Sequence, residues 1–177
     1  MAEIAQFLIE TLSLLLGVAL LTRVLMNWIG LPARNPLAQF VLALTDWLVR
    51  PLRRVIPAVG RLDVASLLAA YLIAVVAIVL VQLVVLQAVA PERAALGGII
   101  RVIHWALSGL IWLTVLYALL SWINPLAPIA PAVAALLRPF LEPFRRIIPL
   151  VGGVDLSPMA LILVLFILQR LLDGLRF

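Results

Sequence analysis

The sequence of 177 residues contains no cysteine and no lysine, and it has a single histidine. Without thiols there is no disulfide framework and no thiolate metal site. One histidine leaves nothing from which a multi-histidine metal centre could be built. Charge is also scarce, at 12% of residues against about 25% in soluble domains. Apolar residues make up 66% of the chain and the mean hydropathy is +1.26, so there is too little polar surface to clothe a water-soluble globule. Lipid must cover part of it. The formal net charge of +5 rests on thirteen basic residues, all arginine. In a chain this apolar, arginine points to anionic lipid headgroups and membrane topology rather than to nucleic acid.

Catalytic patterns are missing as well. No apolar run carries a central carboxylate, which disfavours a proton-coupled pump, and no filter, phosphate-binding loop or nucleophile motif is present. A non-enzymatic protein with no catalytic, cofactor-binding or metal residues is expected.

What the chain does have is long apolar runs. A hydrocarbon core of about 30 Å takes roughly 20 helical residues. Residues 7–29, 64–90 and 99–123 meet that length, and 156–172 lies at its lower limit. The expected fold is therefore all-α, with four transmembrane helices. The first turns carry Glu3 and Glu10 and no arginine, unlike the positive start of a secretory signal, so the first run is expected to be a retained span. Arginine lies mostly in the connections that follow the first and third runs, eight or nine residues against four. The positive-inside rule then puts both connections in the cytoplasm and both termini in the periplasm.

Those connections are themselves patterned. Leu37, Phe40, Val41, Leu44 and Trp47 recur at helical spacing over residues 36–48, with Gln39, Thr45 and Asp46 on the other face. Residues 132–141 repeat the pattern with Val133, Leu136, Leu137 and Phe140. Amphipathic segments beside arginines are expected in the membrane interface, either lying flat or re-entrant.

The chain is also a duplication. Pro51-Leu-Arg-Arg-Val-Ile-Pro-Ala-Val-Gly-Arg-Leu-Asp63 and Pro143-Phe-Arg-Arg-Ile-Ile-Pro-Leu-Val-Gly-Gly-Val-Asp155 agree at eight of thirteen positions, 92 residues apart. Trp28-Ile29 recurs as Trp122-Ile123, and Asn35-Pro36 as Asn124-Pro125. Two units follow, residues 1–90 and 91–177, each with two spans and hence inserted the same way round. Within each copy, Pro51 and Pro143 suit a first helical position. Pro57 and Pro149 end the turn, and Gly60 and Gly152 allow a bend. Asp63 and Asp155 stand where an acid caps the next span or pairs with arginine.

These segments resemble the YggT family, whose pattern runs from a tryptophan-ending span through Asn-Pro and Pro-x-Arg-Arg-x-x-Pro to Asp-Leu-Ser-Pro. Asp155-Leu156-Ser157-Pro158 matches that ending, whereas the first copy reads Asp63-Val64-Ala65-Ser66. The resemblance implies a bacterial inner-membrane protein linked to osmotic stress and potassium uptake, or alternatively a scaffold for division or cytochrome-maturation partners. Either role would use a bilayer with anionic headgroups, membrane-protein partners and, for a pore, a homo-oligomer. Arg53, Arg54, Arg145 and Arg146 are the candidate basic vestibule, with topology determination as the plainer role. His104 is read as an interfacial residue, and Trp28, Trp112 and Trp122 as aromatic-belt residues together with Trp105. Arg23 lies inside the first span, either snorkelling to the interface or lining a cavity.

Overall fold

The computed structural model describes residues 1–57, 59–149 and 155–174. Six helices and no strands occur among them: α1 (Ala2–Ile29), α2 (Pro36–Val55), α3 (Val64–Leu86), α4 (Pro91–Ile123), α5 (Ala130–Ile147) and α6 (Ser157–Asp173). Of these, α1, α3 and α4 are long and apolar enough to cross a membrane. With 17 residues, α6 rises about 26 Å at 1.5 Å per residue, short of the hydrocarbon core of about 30 Å.

The helix ends follow local chemistry. Gly30 closes α1 in the left-handed conformation (φ 78°), its N–H donating to the Met26 and Asn27 carbonyls. Asn35 caps α2 by accepting from the Leu37 N–H, with Pro36 as the first helical residue. Gln87 (φ 53°) ends α3 earlier than the apolar run suggests. Pro91 then starts α4 eight residues ahead of the expected 99, because Glu92 and Arg93 are good helix formers although poor in lipid.

In hydrocarbon, helices associate through close packing rather than a hydrophobic drive. The sequence supplies small residues for it. A stripe of Ala65, Ser66, Ala69, Ala70, Ala74 and Ala77 on α3 is buried, and Leu20 of α1 joins Ala65, Ala69 and Ala70 in one apolar cluster. Trp105 of α4 lies directly on Gly17 of α1, where a Cβ would stand 2.1 Å from its ring. Gly109 meets Val18 in the same way at 3.2 Å. Rising residue numbers meet in step, so α1 and α4 run parallel. Trp105 is only 4% exposed, which corrects its assignment to the aromatic belt; Trp28, Trp112 and Trp122 are exposed.

Each connecting helix covers its own repeat. α2 packs on α1 and α3, and α5 packs on α4 and α6, with α5 also touching α1. Besides the packing of α4 on α1 and α3, the repeats meet where Leu136 of α5 packs against Met26, Ala38 and Val41. Buried residues match at the repeat spacing: Val41 with Val133, Thr45 with Leu137, and Val49 with Leu141.

Two expectations are corrected here. Pro51 and Pro143 are not first helical residues but lie inside α2 and α5. The helix is already nucleated upstream, and each proline removes only one amide donor near a helix end. Thr45 and Asp46 do not face outward: Thr45 is fully buried and Asp46 is 23% exposed. At 100° per residue, Thr45 lies about 100–160° around α2 from Phe40, Leu44 and Trp47, which are exposed.

Candidate functional site

Arg23 stands on the second turn from the end of α1, and its side chain is 3% exposed. A guanidinium in that position demands partners, and α2 brings them. Its Nη1 donates to Thr45 Oγ1 at 2.8 Å and to Asp46 Oδ1 at 2.8 Å. Its Nε lies 3.6 Å from Asp63 Oδ2. Arg23 therefore neither snorkels nor lines an open cavity; it ties α1 to α2 and to the entrance of α3.

Asp63 is the hub, at 1% exposure. As N-cap of α3 it accepts from the Ser66 N–H at 3.3 Å, and from Ser66 Oγ at 2.6 Å. Asn27 Nδ2 donates at 2.8 Å, and Arg53 donates through Nη2 and, at 3.4 Å, through Nε. Burial by itself raises the Asp63 pKa. Hydrogen bonds from Arg53 and Ser66 outweigh it and hold the carboxyl below its ordinary 3.8. Asp46 is shared between Arg23 and Arg50, whose Nη2 is 2.7 Å away.

The second repeat builds a lighter version. Asp155 accepts from Arg145 Nε at 2.9 Å and from the Ser157 N–H at 2.9 Å. Its burial, too, is outweighed by hydrogen bonds from Ser157 and Arg145, which keep its pKa below 3.8. Tyr117 occupies the place of Arg23 at the Trp28-to-Trp122 spacing, and its hydroxyl accepts from Arg145 Nη2 at 2.8 Å. The caps differ for a simple reason. Pro158 replaces Ser66 and has no N–H, so Asp155 takes the Ser157 donor two residues on instead. Pro158 serves as an early helical residue of α6 and is buried with Ser157.

The paired arginines divide their roles. Arg53 and Arg145 turn back to the aspartates ten residues on. Arg54 is exposed, and Arg146, 76% exposed, reaches Glu142 at 2.9 Å. Pro57 and Pro149 follow the ends of α2 and α5, after Ile56 and Ile148 have donated to Leu52 and Phe144. Gly60 adopts φ 61° in the turn closed by Val59 and Leu62. Gly152 lies outside the described residues. His104 is 27% exposed, 3.8 Å from Asp173 and within reach of Ser108, which also receives Gln169 at 2.8 Å. Among the described residues, no group of three His, Asp or Glu could hold a metal.

The Asn27–Asp63 and Tyr117–Arg145–Asp155 contacts, with α1 and α4 parallel, gather nine arginines at one end of the bundle with Asp46, Asp63, Glu142 and Asp155. That end is strongly basic, as a cytoplasmic face would be. A family profile described as CCB3/YggT matches residues 2–84 and again 96–176, so it recognises both copies of this arrangement. The chain belongs to the CCB3/YggT family. Its relatives include a protein named "Uncharacterized protein YggT" in Escherichia coli, 36% identical over 92% of this chain and 86% of that one. Uncharacterised proteins of Pseudomonas aeruginosa, 37% identical over 94% of this chain and 87% of theirs, and of Vibrio alginolyticus, 35% identical over 97% and 89%, are similarly close. No solved structure matches. Arg23, Thr45, Asp46 and Asn27 are the members of this YggT-family site that sequence reasoning left unassembled. The available signal was Arg23 itself, a charge nearly two turns inside the end of an apolar run.

Proposed function

We propose that this YggT-family protein is a non-enzymatic, four-span protein of the bacterial inner membrane, with α2 and α5 at the cytoplasmic interface and both termini periplasmic. It acts there as an assembly platform for other membrane proteins. The observation that carries this reading is the division of charge. Arg23, Asp46 and Asp63 are consumed in holding α2 against the spans, which leaves Arg34, Arg54, Arg61, Arg138 and Arg146 displayed at the same end. Exposed Phe40, Leu44 and Trp47 on α2 are suited to lipid at that depth, and the short α6 can be accommodated by local thinning of the bilayer.

Ion uptake during osmotic stress, the role implied by the resemblance, needs a polar path. Inside this chain, the Arg145–Asp155 and His104–Ser108–Gln169 groups are separated by Ile111, Leu161 and Leu165, all buried and packed together. A conducting route would have to form between copies. Potassium flux into proteoliposomes holding only this protein decides between the readings. The platform reading expects no flux from folded protein, together with defined membrane partners crosslinked through probes at Arg54 and Arg146. Flux from the purified protein alone would overturn it.

A further inference from the structure

Arg61 and Arg138 face one cavity from opposite repeats. Arg61 comes from the turn before α3 and Arg138 from the middle of α5, and with Trp28, Ile29, Ala135, Pro139 and Glu142 they line an open depression of about 310 Å³. Both side chains are exposed, and neither makes a hydrogen bond or close ion pair among the described residues, while Arg138 also acts electrostatically on Glu142. Glu142, which also lines this space, is already engaged by Arg146. A second cavity adjoins it. Trp28 is shared with a second cavity of about 340 Å³ between α1 and α4, and the lining passes from Arg61 to Leu62 and from Pro139 to Phe140. This second space is almost wholly apolar, bounded by Leu25, Leu110 and Leu113, and its hydroxyl, on Thr22, is turned to the Val18 carbonyl.

We infer that the cleft between the two repeats holds one anionic phospholipid. Its phosphate sits between Arg61 and Arg138, and an acyl chain lies along the α1–α4 slot. The geometry is that of an amphiphile: two exposed cations at the basic end, a tryptophan at the boundary, and an apolar slot beside it. Basic pockets between transmembrane helices on the cytoplasmic side take such headgroups. A free phosphate would use the arginines and leave the slot without purpose, so the lipid is the occupant. The inference needs only a surrounding bilayer, and it holds whether or not the protein is an assembly platform. It places a lipid at the joint between repeats, where it would bridge α1 and α3 of one to α4 and α5 of the other.

The test is native mass spectrometry on the full chain in detergent, titrated separately with phosphatidylglycerol, phosphatidylcholine and glycerol phosphate. One tightly retained phosphatidylglycerol is expected, with neither of the other two retained. Arg61→Gln or Arg138→Gln should weaken it about fivefold each and about thirtyfold together. Arg54→Gln, an exposed arginine outside the cleft, should leave it unchanged. Ala106→Leu, which fills the slot while keeping both arginines, should also expel the lipid. Equal loss on Arg54→Gln would show diffuse surface charge and overturn the proposal. So would equal retention of phosphatidylcholine, or glycerol phosphate binding that survives Ala106→Leu. Because both arginines are exposed, their variants should stay monodisperse, and size-exclusion profiles check that.

Discussion

Replacing Asp63 with alanine should destabilise this protein far more than replacing its repeat counterpart, Asp155. Asp63 is 1% exposed and Arg23 is 3% exposed. Removing the carboxylate leaves a buried guanidinium with Asp46 as its remaining charge partner. Breaking a buried pair by deleting one member costs about 3–5 kcal/mol. The lost N-cap adds about 1 kcal/mol. Arg53 is 39% exposed and can re-solvate, so its bond adds little. Asp155 and Arg145 are 29% and 42% exposed, so the loss there is essentially one cap and a screened pair, about 1–2 kcal/mol. The expected difference is therefore at least about 2 kcal/mol, more than a tenfold change in the unfolding constant. The assay is reversible denaturation in mixed micelles, followed by circular dichroism and tryptophan fluorescence. The double variant Arg23→Met with Asp63→Asn should recover much of the loss, because removing both members leaves no orphaned charge. Equal destabilisation by Asp63→Ala and Asp155→Ala, or strictly additive losses in the double variant, would refute the buried-latch reasoning.

Gly17→Ala should cost about 1–3 kcal/mol through overpacking, because Trp105 occupies the space of the new methyl; a changed near-ultraviolet dichroism signal from this buried indole would check it. Both aspartates have pKa values depressed below 3.8, so their stabilisation is fully present above the ordinary carboxylate range and is lost as pH falls through the lower, folded values. Acid titration should show flat stability at neutral pH and a fall beginning below about pH 5, and Asp63→Asn should flatten that fall. Arg54→Gln and Arg146→Gln should change stability by no more than about 0.5 kcal/mol, as exposed surface positions do, whereas Arg53→Gln and Arg145→Gln should cost measurably more in the same denaturation assay. Neutralising all four together leaves five arginines against four on the two ends. Reporter fusions at the C-terminus should then reveal mixed orientation, and a single fixed topology would argue that the arginines do not set it.

Much of the architecture was legible in the residues alone, and for a definite reason. In a bilayer every backbone amide must be satisfied within its own segment, so apolar runs of the length seen here have to be helices. The duplication around Pro51–Asp63 and Pro143–Asp155 needed only alignment of the chain with itself. The acid before each span and the arginine ten residues earlier are close in sequence, so their contact, too, is nearly local. What the sequence left open was every choice that depends on how one helix rotates against another. Whether Thr45 and Asp46 or Phe40 and Trp47 turn inward is a matter of docking angle, and Arg23 decides it by drawing the polar face in. That Tyr117 stands in for Arg23, that Pro158 shifts the second cap to Ser157, and that Trp105 closes on Gly17 all arise from contacts across helices. Composition and repeat determined that this chain is built as two related halves of long apolar helices, three of them long and apolar enough to cross a membrane. The tertiary structure decided which charges are consumed inside those halves and which, including Arg61 and Arg138, are left to face a cleft between them. Buried charges must find partners, and only packed helices bring residues 22 to 36 positions apart within 3 Å.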